Sequence, residues 1–131
     1  MLPLTHDAIL KFQHDQSQTE LMVARLSVEQ ARAFDAEERK IYLKKEVYIK
    51  LFNKHRLKNV EDLTKISEIT KKGIGFSDRP ESFVNCGDIG GGQYYRLAIK
   101  RSLVSKKLYI STFYRCGRKG FRNHMNKMKK K

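Results

Sequence analysis

Two stretches of this 131-residue chain hold the residue types best suited to chemistry: Lys54-His55-Arg56, and the hydroxyl- and aromatic-rich run from Leu108 to Arg115. His55 can move a proton, and its flanking cations disfavour the charged imidazole, leaving a neutral base. Ser111 or Thr112 can donate to a phosphate oxygen. Lys54, Arg115, Arg96 and Lys100 can neutralise phosphate charge, arginine as a bidentate fork and lysine as a point charge. Tyr95, Tyr109 and Tyr114 offer rings on which a base can stack, and Arg118 with Lys119 adds charge beyond them. This set suits RNA cleavage without a metal, because the 2′-OH supplies the nucleophile and the protein need only move protons and stabilise the phosphorane. Each residue also has an ordinary use: His55 can interact with the dipole at a helix end, and each tyrosine can be core.

Other chemistries lack their residues. Paired carboxylates are missing from the cationic half, which argues against a glycosidase, and there is no nucleophile elbow or HExxH. Gly90-Gly91-Gly92 lacks the Lys-Ser/Thr of a phosphate loop and follows no dinucleotide pattern. Cys86 and Cys116 stand outside any metal-ligand spacing, so they are expected as free thiols in a reducing compartment, with one bridge open to them. No metal and no cofactor is expected.

Charge is unevenly spread. Residues 1–88 carry 15 Lys or Arg against all 14 Asp or Glu, a net of 15 − 14 = +1, while residues 89–131 carry the other 13 basic residues and no acid, a net of +13. A nearly neutral front and a cationic back point to a polyanionic partner. No apolar run approaches the ~18 residues needed to span a bilayer, and the N-terminus has no basic-then-apolar leader.

The elements that must position these residues read as an α+β fold: N-terminal helices packed on a small C-terminal antiparallel β-sheet, with a basic C-terminal tail. One domain is expected over 1–131, mainly helical over 1–72, a glycine-rich loop over 73–92, a β-hairpin over 93–115 and a basic tail over 116–131. Leu4 to Leu26 reads as helical, either one helix with a solvated middle or two short ones, with Thr5 and Asp7 at its start. Ser27-Val28-Glu29-Gln30 has the form of a capping box and opens the strongest helix, about Val28 to Arg56, in which Phe34, Ile41 and Tyr48 recur every seven residues. Asn59 can cap a third helix carrying Leu63, Ile66 and Ile69, closed by Lys71-Lys72-Gly73. In the loop, residues 82–86 can pair as a short strand. In the hairpin, Tyr95, Leu97 and Ile99 alternate with Tyr94, Arg96, Ala98 and Lys100. In the second arm, strict alternation sets Leu108, Ile110, Thr112 and Tyr114 against Tyr109, Ser111, Phe113 and Arg115. The tail is expected as a mobile basic arm, with Phe121 able to dock on the sheet.

Leu51-Phe52-Asn53-Lys54-His55, then Asp62-Leu63 to Ile69, then GGQYYRLAIK and LYISTFYR resemble the superfamily that groups barnase, EndoU, colicin D and RelE-type ribonucleases, over about residues 50–116. The resemblance implies helices preceding a four-stranded antiparallel sheet and metal-independent cleavage of tRNA or other RNA by a bacterial or phage toxin domain. It places catalytic roles on Lys54 and His55 and implicates Ser111 or Thr112. An acidic immunity protein or antitoxin is the expected protein partner, since opposed fields speed docking. The site of action would be the cytoplasm, with delivery from another cell if the chain is a toxin domain. The rival expectation is a non-catalytic RNA-binding module that uses only the cationic half, and a third is a structural protein whose basic end meets an acidic partner.

Overall fold

The computed structural model of the chain describes residues 5–53, 60–79, 81–88 and 92–129. In chain order they form α1 (His6–His14), β1 (Glu20–Arg25), α2 (Val28–Phe34), β2 (Lys40–Lys44), α3 (Lys45–Asn53), a 3-10 turn (Val60–Thr64), α4 (Lys65–Lys72), β3 (Ile74–Arg79), β4 (Ser82–Asp88), β5 (Tyr94–Arg101), β6 (Leu108–Arg115) and α5 (Gly117–Lys129). The fold is α+β, but the sheet is neither small, nor confined to the C-terminal half, nor wholly antiparallel. Six strands run in the order β1-β2-β6-β5-β4-β3, and β2 pairs parallel to β6 where all other neighbours are antiparallel.

The expected helix from Val28 to Arg56 is three elements within its described part. Asp35 takes a left-handed conformation (φ 55°) and closes α2. The following KIYLK then buries Ile41 and Leu43 on one face while Lys40 stays exposed and Tyr42 half-buried. Alternation with period two defines a strand, so the seven-residue recurrence of Phe34, Ile41 and Tyr48 joins three different elements to one core. The expected helix from Leu4 to Leu26 likewise stops at His14, where Asp15 accepts from the Ser17 backbone and hydroxyl (3.0 and 2.6 Å) in a local turn, and residues 20–25 become β1. Thr5 caps α1 by accepting from the Ala8 N–H (3.1 Å), and Ser27 caps α2 by accepting from Gln30 (3.1 Å). The box is only half formed, because the Gln30 amide donates instead to the Gly73 carbonyl (3.3 Å).

Residues 73–92, expected as loop, hold β3 and β4, and the strand sought at 82–86 extends over Ser82–Asp88 between β3 and β5. Gly73 ends α4 without a left-handed turn (φ −72°); it is needed for space, since a Cβ there would lie 2.1 Å from the Asn85 carboxamide oxygen. Asn59 lies outside the described residues. The tail, expected as a mobile arm, is helical: α5 sets Phe121 against Tyr94 (ring centroids 5.0 Å) and buries His124, whose Nε2 meets the Ile74 carbonyl at 2.6 Å.

The sheet thus has two distinct faces. Ile41, Leu43, Leu97, Ile99, Leu108, Ile110 and Phe113 turn to a single core shared with Ile9 and Phe12 of α1, Tyr48 and Leu51 of α3, and Leu63, Ile66 and Ile69 from the 3-10 turn and α4. The opposite, polar face carries α5 over β4 and β5, and it carries Tyr42 and Tyr109 at β2 and β6. Among the described residues no helix is long and apolar enough to cross a membrane.

Candidate functional site

The second arm of the hairpin departs from strict alternation at one residue. Ala98 pairs with Thr112 and Ile99 with Ile110, which leaves Ser111 as an extra residue, a β-bulge. Beyond it every side chain changes face. Phe113 and Arg115, expected on the polar face, turn to the core face opposite Leu97 and Tyr95. Thr112 and Tyr114, expected with the apolar residues, lie on the polar face opposite Ala98 and Arg96. The physical reason is volume: the slip places Phe113 in the core at 0% exposure instead of leaving it in water.

Arg115 is thereby set beside Tyr95. The Tyr95 ring stacks on Phe113 (5.2 Å, 9° between planes) and is 1% exposed. Its hydroxyl donates to Asp62 Oδ1 (2.9 Å) and accepts from Arg115 Nη2 (3.2 Å), while Arg115 Nη2 lies 3.9 Å from Asp62 Oδ1. Asp62 is held by the 3-10 turn, whose neighbouring Leu63 is buried. Burial pushes the Tyr95 phenol above its ordinary value, the Arg115 hydrogen bond opposing and Asp62 adding to the shift, so the hydroxyl stays a donor. The hydrogen bond to Tyr95 in turn raises Arg115 further. These groups line a pocket of about 390 Å³ with His6, Thr64, Lys65 and Gln93. A phosphate entering it would meet two cations, Arg115 and Lys65, with an imidazole, two hydroxyls and an amide around them, and one carboxylate, Asp62, already engaged by Tyr95 and Arg115.

The second region lies on the polar face. Tyr42 and Tyr109 are register partners across the parallel junction of β2 and β6, their rings 6.2 Å apart. Lys44 Nζ sits 4.5 Å from the Tyr109 ring centre and Lys107 Nζ 4.7 Å from that of Tyr42. Glu20 accepts from Lys107 (3.0 Å) and from the Tyr109 hydroxyl (3.4 Å). That carboxylate raises the Lys107 ammonium above its ordinary value, so the charge persists. Farther along, Arg96 donates to the Tyr114 hydroxyl (3.4 Å) and lies 5.9 Å from that ring's centre. Beside Tyr109 a cleft of about 630 Å³ gathers Lys44 and Lys50 with Lys100, Arg101 and Ser111, and with the acids Glu46 and Glu81.

The residues expected from sequence therefore divide. Tyr95 and Arg115 meet in the smaller pocket; Lys100, Tyr109 and Ser111 line the cleft; Arg96 and Tyr114 pair between them. Thr112 is half-buried, its hydroxyl oxygen without a hydrogen-bond partner, and it lines neither cavity. Arg118 and Lys119 are exposed on the first turn of α5. Lys54 and His55 lie outside the described residues. Sequence reasoning missed His6, Asp62, Thr64, Lys65 and Gln93 as one group, and Tyr42, Lys44, Lys107 and Glu20 as another. The one available signal was Phe113, a phenylalanine that strict alternation assigns to a polar face.

Among the described residues no three His, Cys, Asp or Glu side chains group as a metal site. No protein-family model matches the chain, and neither a curated protein nor a solved structure shows significant similarity to it.

Proposed function

We propose that this protein is a metal-independent endoribonuclease, of the kind used as a bacterial or phage toxin, that cleaves single-stranded RNA at the Tyr95 pocket and holds the strand's continuation on Tyr42 and Tyr109 of the opposite, polar face. The observation that carries this reading is the chain Asp62–Tyr95–Arg115 at the wall of a pocket shared with His6 and Lys65. The buried Tyr95 hydroxyl holds the Arg115 guanidinium in place, while the Arg115 side chain itself is 60% exposed and can reach a ligand. In this scheme the RNA 2′-OH attacks the adjacent phosphorus and gives its proton to His6. Arg115 and Lys65 stabilise the phosphorane, the P–O5′ bond breaks, and the leaving 5′-oxygen takes a proton from water. The products are a 2′,3′-cyclic phosphate and a 5′-hydroxyl. The acid-free charge of residues 89–131 supports RNA as the substrate class, tRNA included, and an acidic immunity protein or antitoxin as the inhibitor.

A second reading, RNA binding without catalysis, is favoured by a separate observation. Tyr42 and Tyr109 with their attendant lysines form a stacking surface that needs no reacting group nearby. Incubation of the protein with total RNA in excess chelator separates the two readings, beside Arg115→Ala, His6→Ala and His55→Ala. Discrete cleavage with cyclic-phosphate ends, lost in Arg115→Ala and in one histidine variant, supports the nuclease and identifies its base. Intact RNA with a salt-sensitive mobility shift leaves the binding module.

A further inference from the structure

Cys86 and Cys116 stand 30 residues apart in the chain, yet their sulfurs are 3.4 Å apart. The route to this contact is specific. Cys86 pairs in register with Arg96 on the polar side of β4, and the Cys116 N–H donates to the Tyr94 carbonyl (2.9 Å) at the end of β6. Gly117, in a left-handed conformation (φ 69°), then turns the chain back across β5 so that α5 lies toward β4. One turn on, Gly120 leaves room for the pair, since a Cβ there would lie 2.9 Å from the Cys116 Cβ. Cys86 is buried and Cys116 half-buried, and neither lines the pockets described above.

We propose that Cys86 and Cys116 are an oxidisable dithiol, closed by hydrogen peroxide or oxidised glutathione into a disulfide that staples the start of α5 to β4. Cys116 is the attacking sulfur. It is the more accessible of the two and stands at the N-terminus of a 13-residue helix, where partial positive charge favours a thiolate. The Cys86 hydrogen bond holds its thiol below the ordinary value, with Arg96 adding to the effect, whereas the hydrogen bond to Cys116 and burial push Cys86 up.

With peroxide, the Cys116 thiolate attacks one oxygen. An S–O bond forms, the O–O bond breaks, and hydroxide leaves and takes up the proton released by Cys116. The Cys86 sulfur then displaces the sulfenic oxygen, and its own proton leaves with that oxygen as water. Two thiols lose two electrons to one peroxide, giving a disulfide and two waters. With oxidised glutathione, Cys116 forms a mixed disulfide and Cys86 displaces the second glutathione. Reaching a bond length of ~2.05 Å requires a small approach of the sulfurs, and Gly117, with open space where a side chain would stand, can absorb it.

The closed form fixes the first turn of α5, which carries the exposed Arg118 and Lys119, and with it how much of the polar face α5 covers. The test needs no RNA and so stands apart from the ribonuclease reading. The 131-residue chain, reduced and freed of reductant, is treated with each oxidant, then denatured, alkylated and weighed. The expected result is loss of both thiols, a mass lower by two hydrogen atoms, a monomer on a non-reducing gel, a cross-linked peptide joining Cys86 to Cys116, and full reversal by dithiothreitol. Cys86→Ser should retain one reactive sulfur, Cys116, that gains an oxygen or a glutathione instead, whereas in Cys116→Ser the buried Cys86 should stay a thiol. Two thiols that persist under oxidant, independent modification of each sulfur, or a disulfide between two chains would overturn the proposal.

Discussion

The Tyr95 pocket and the Tyr42–Tyr109 face are built from the same three parts, a carboxylate, a tyrosine and a cation, arranged to opposite ends. In the pocket Asp62, Tyr95 and Arg115 form a chain of hydrogen bonds, with the tyrosine ring buried and stacked on Phe113. On the open face Glu20 ties Lys107 and the Tyr109 hydroxyl together, and both rings keep an exposed flank. The carboxylates differ in the same direction: the Asp62 side chain is 17% exposed and that of Glu20 31%. Burial decides what the tyrosine can do. A buried hydroxyl positions another group and offers no ring to a ligand, whereas a half-buried ring can stack on a base but holds its cation loosely.

The largest effect that could break this division is at Arg115. Arg115→Ala should lower cleavage by ~10²–10³-fold, the loss seen when one charge-stabilising donor is removed, and reduce RNA affinity by no more than one phosphate contact, a change of ~0.7 in the salt slope on single strands. Single-turnover cleavage beside filter binding reads both. If affinity and rate fall together, the pocket is a binding site and the division fails. Next in size, Tyr42→Leu and Tyr109→Leu should each weaken binding by ~1–3 kcal/mol per stacked base, while Tyr109→Phe should not. The rate at saturating protein should hold in all three. Smaller again, Tyr95→Phe keeps the ring but removes the donor to Asp62. Equilibrium unfolding should show a loss of ~1 kcal/mol, with slower cleavage as Arg115 loses its support.

Helix α5 sets the boundary of the open face and should answer to pH. Burial pushes the His124 imidazole below its ordinary value of 6.5; the hydrogen bond to Ile74 opposes the shift, and the charges of Arg96 and Lys127 add to it. A lowered folded value means that the neutral ring is favoured in the fold. Its contribution to stability is therefore full above 6.5 and drains away as pH falls through the folded value. Melting temperature measured between pH 8 and 5 should fall on the acid side in the native chain, and that part of the slope should flatten in His124→Ala.

The β5 arm of the hairpin was legible because Tyr95, Leu97 and Ile99 alternate without interruption, and the capping residues Thr5 and Ser27 because their signals are local. Strand β2 was hidden inside a charged stretch, since Phe34, Ile41 and Tyr48 are spaced as one helix face even though Ile41 and Leu43 alternate. The bulge at Ser111 could not be read from β6 alone, because register belongs to the partner strand: only pairing with Leu97 shows that Phe113 must turn inward. The pocket was out of reach for a related reason. His6, Asp62, Gln93 and Arg115 come from four separate parts of the chain, and what joins them is the packing of α1 on the 3-10 turn and the pairing of β5 with β6 rather than spacing.

Glu20→Gln is the finest probe of the comparison. The carboxylate now competes with RNA for Lys107 and lends negative charge to a surface proposed to hold phosphates. Neutralising it frees the lysine at small cost to the fold, because solvent-accessible ion pairs contribute ~0–1 kcal/mol. RNA affinity should rise by a few-fold at low ionic strength, of order the removal of one repulsive charge, and the gain should shrink above ~0.15 M salt as screening shortens its reach. The corresponding change in the pocket, Asp62→Asn, should act oppositely, slowing cleavage because Tyr95 would lose its carboxylate acceptor and with it the position of Arg115. Equal and same-signed effects at the two carboxylates would mean that both regions merely hold charge, and that burial of Tyr95 gives the pocket no separate role.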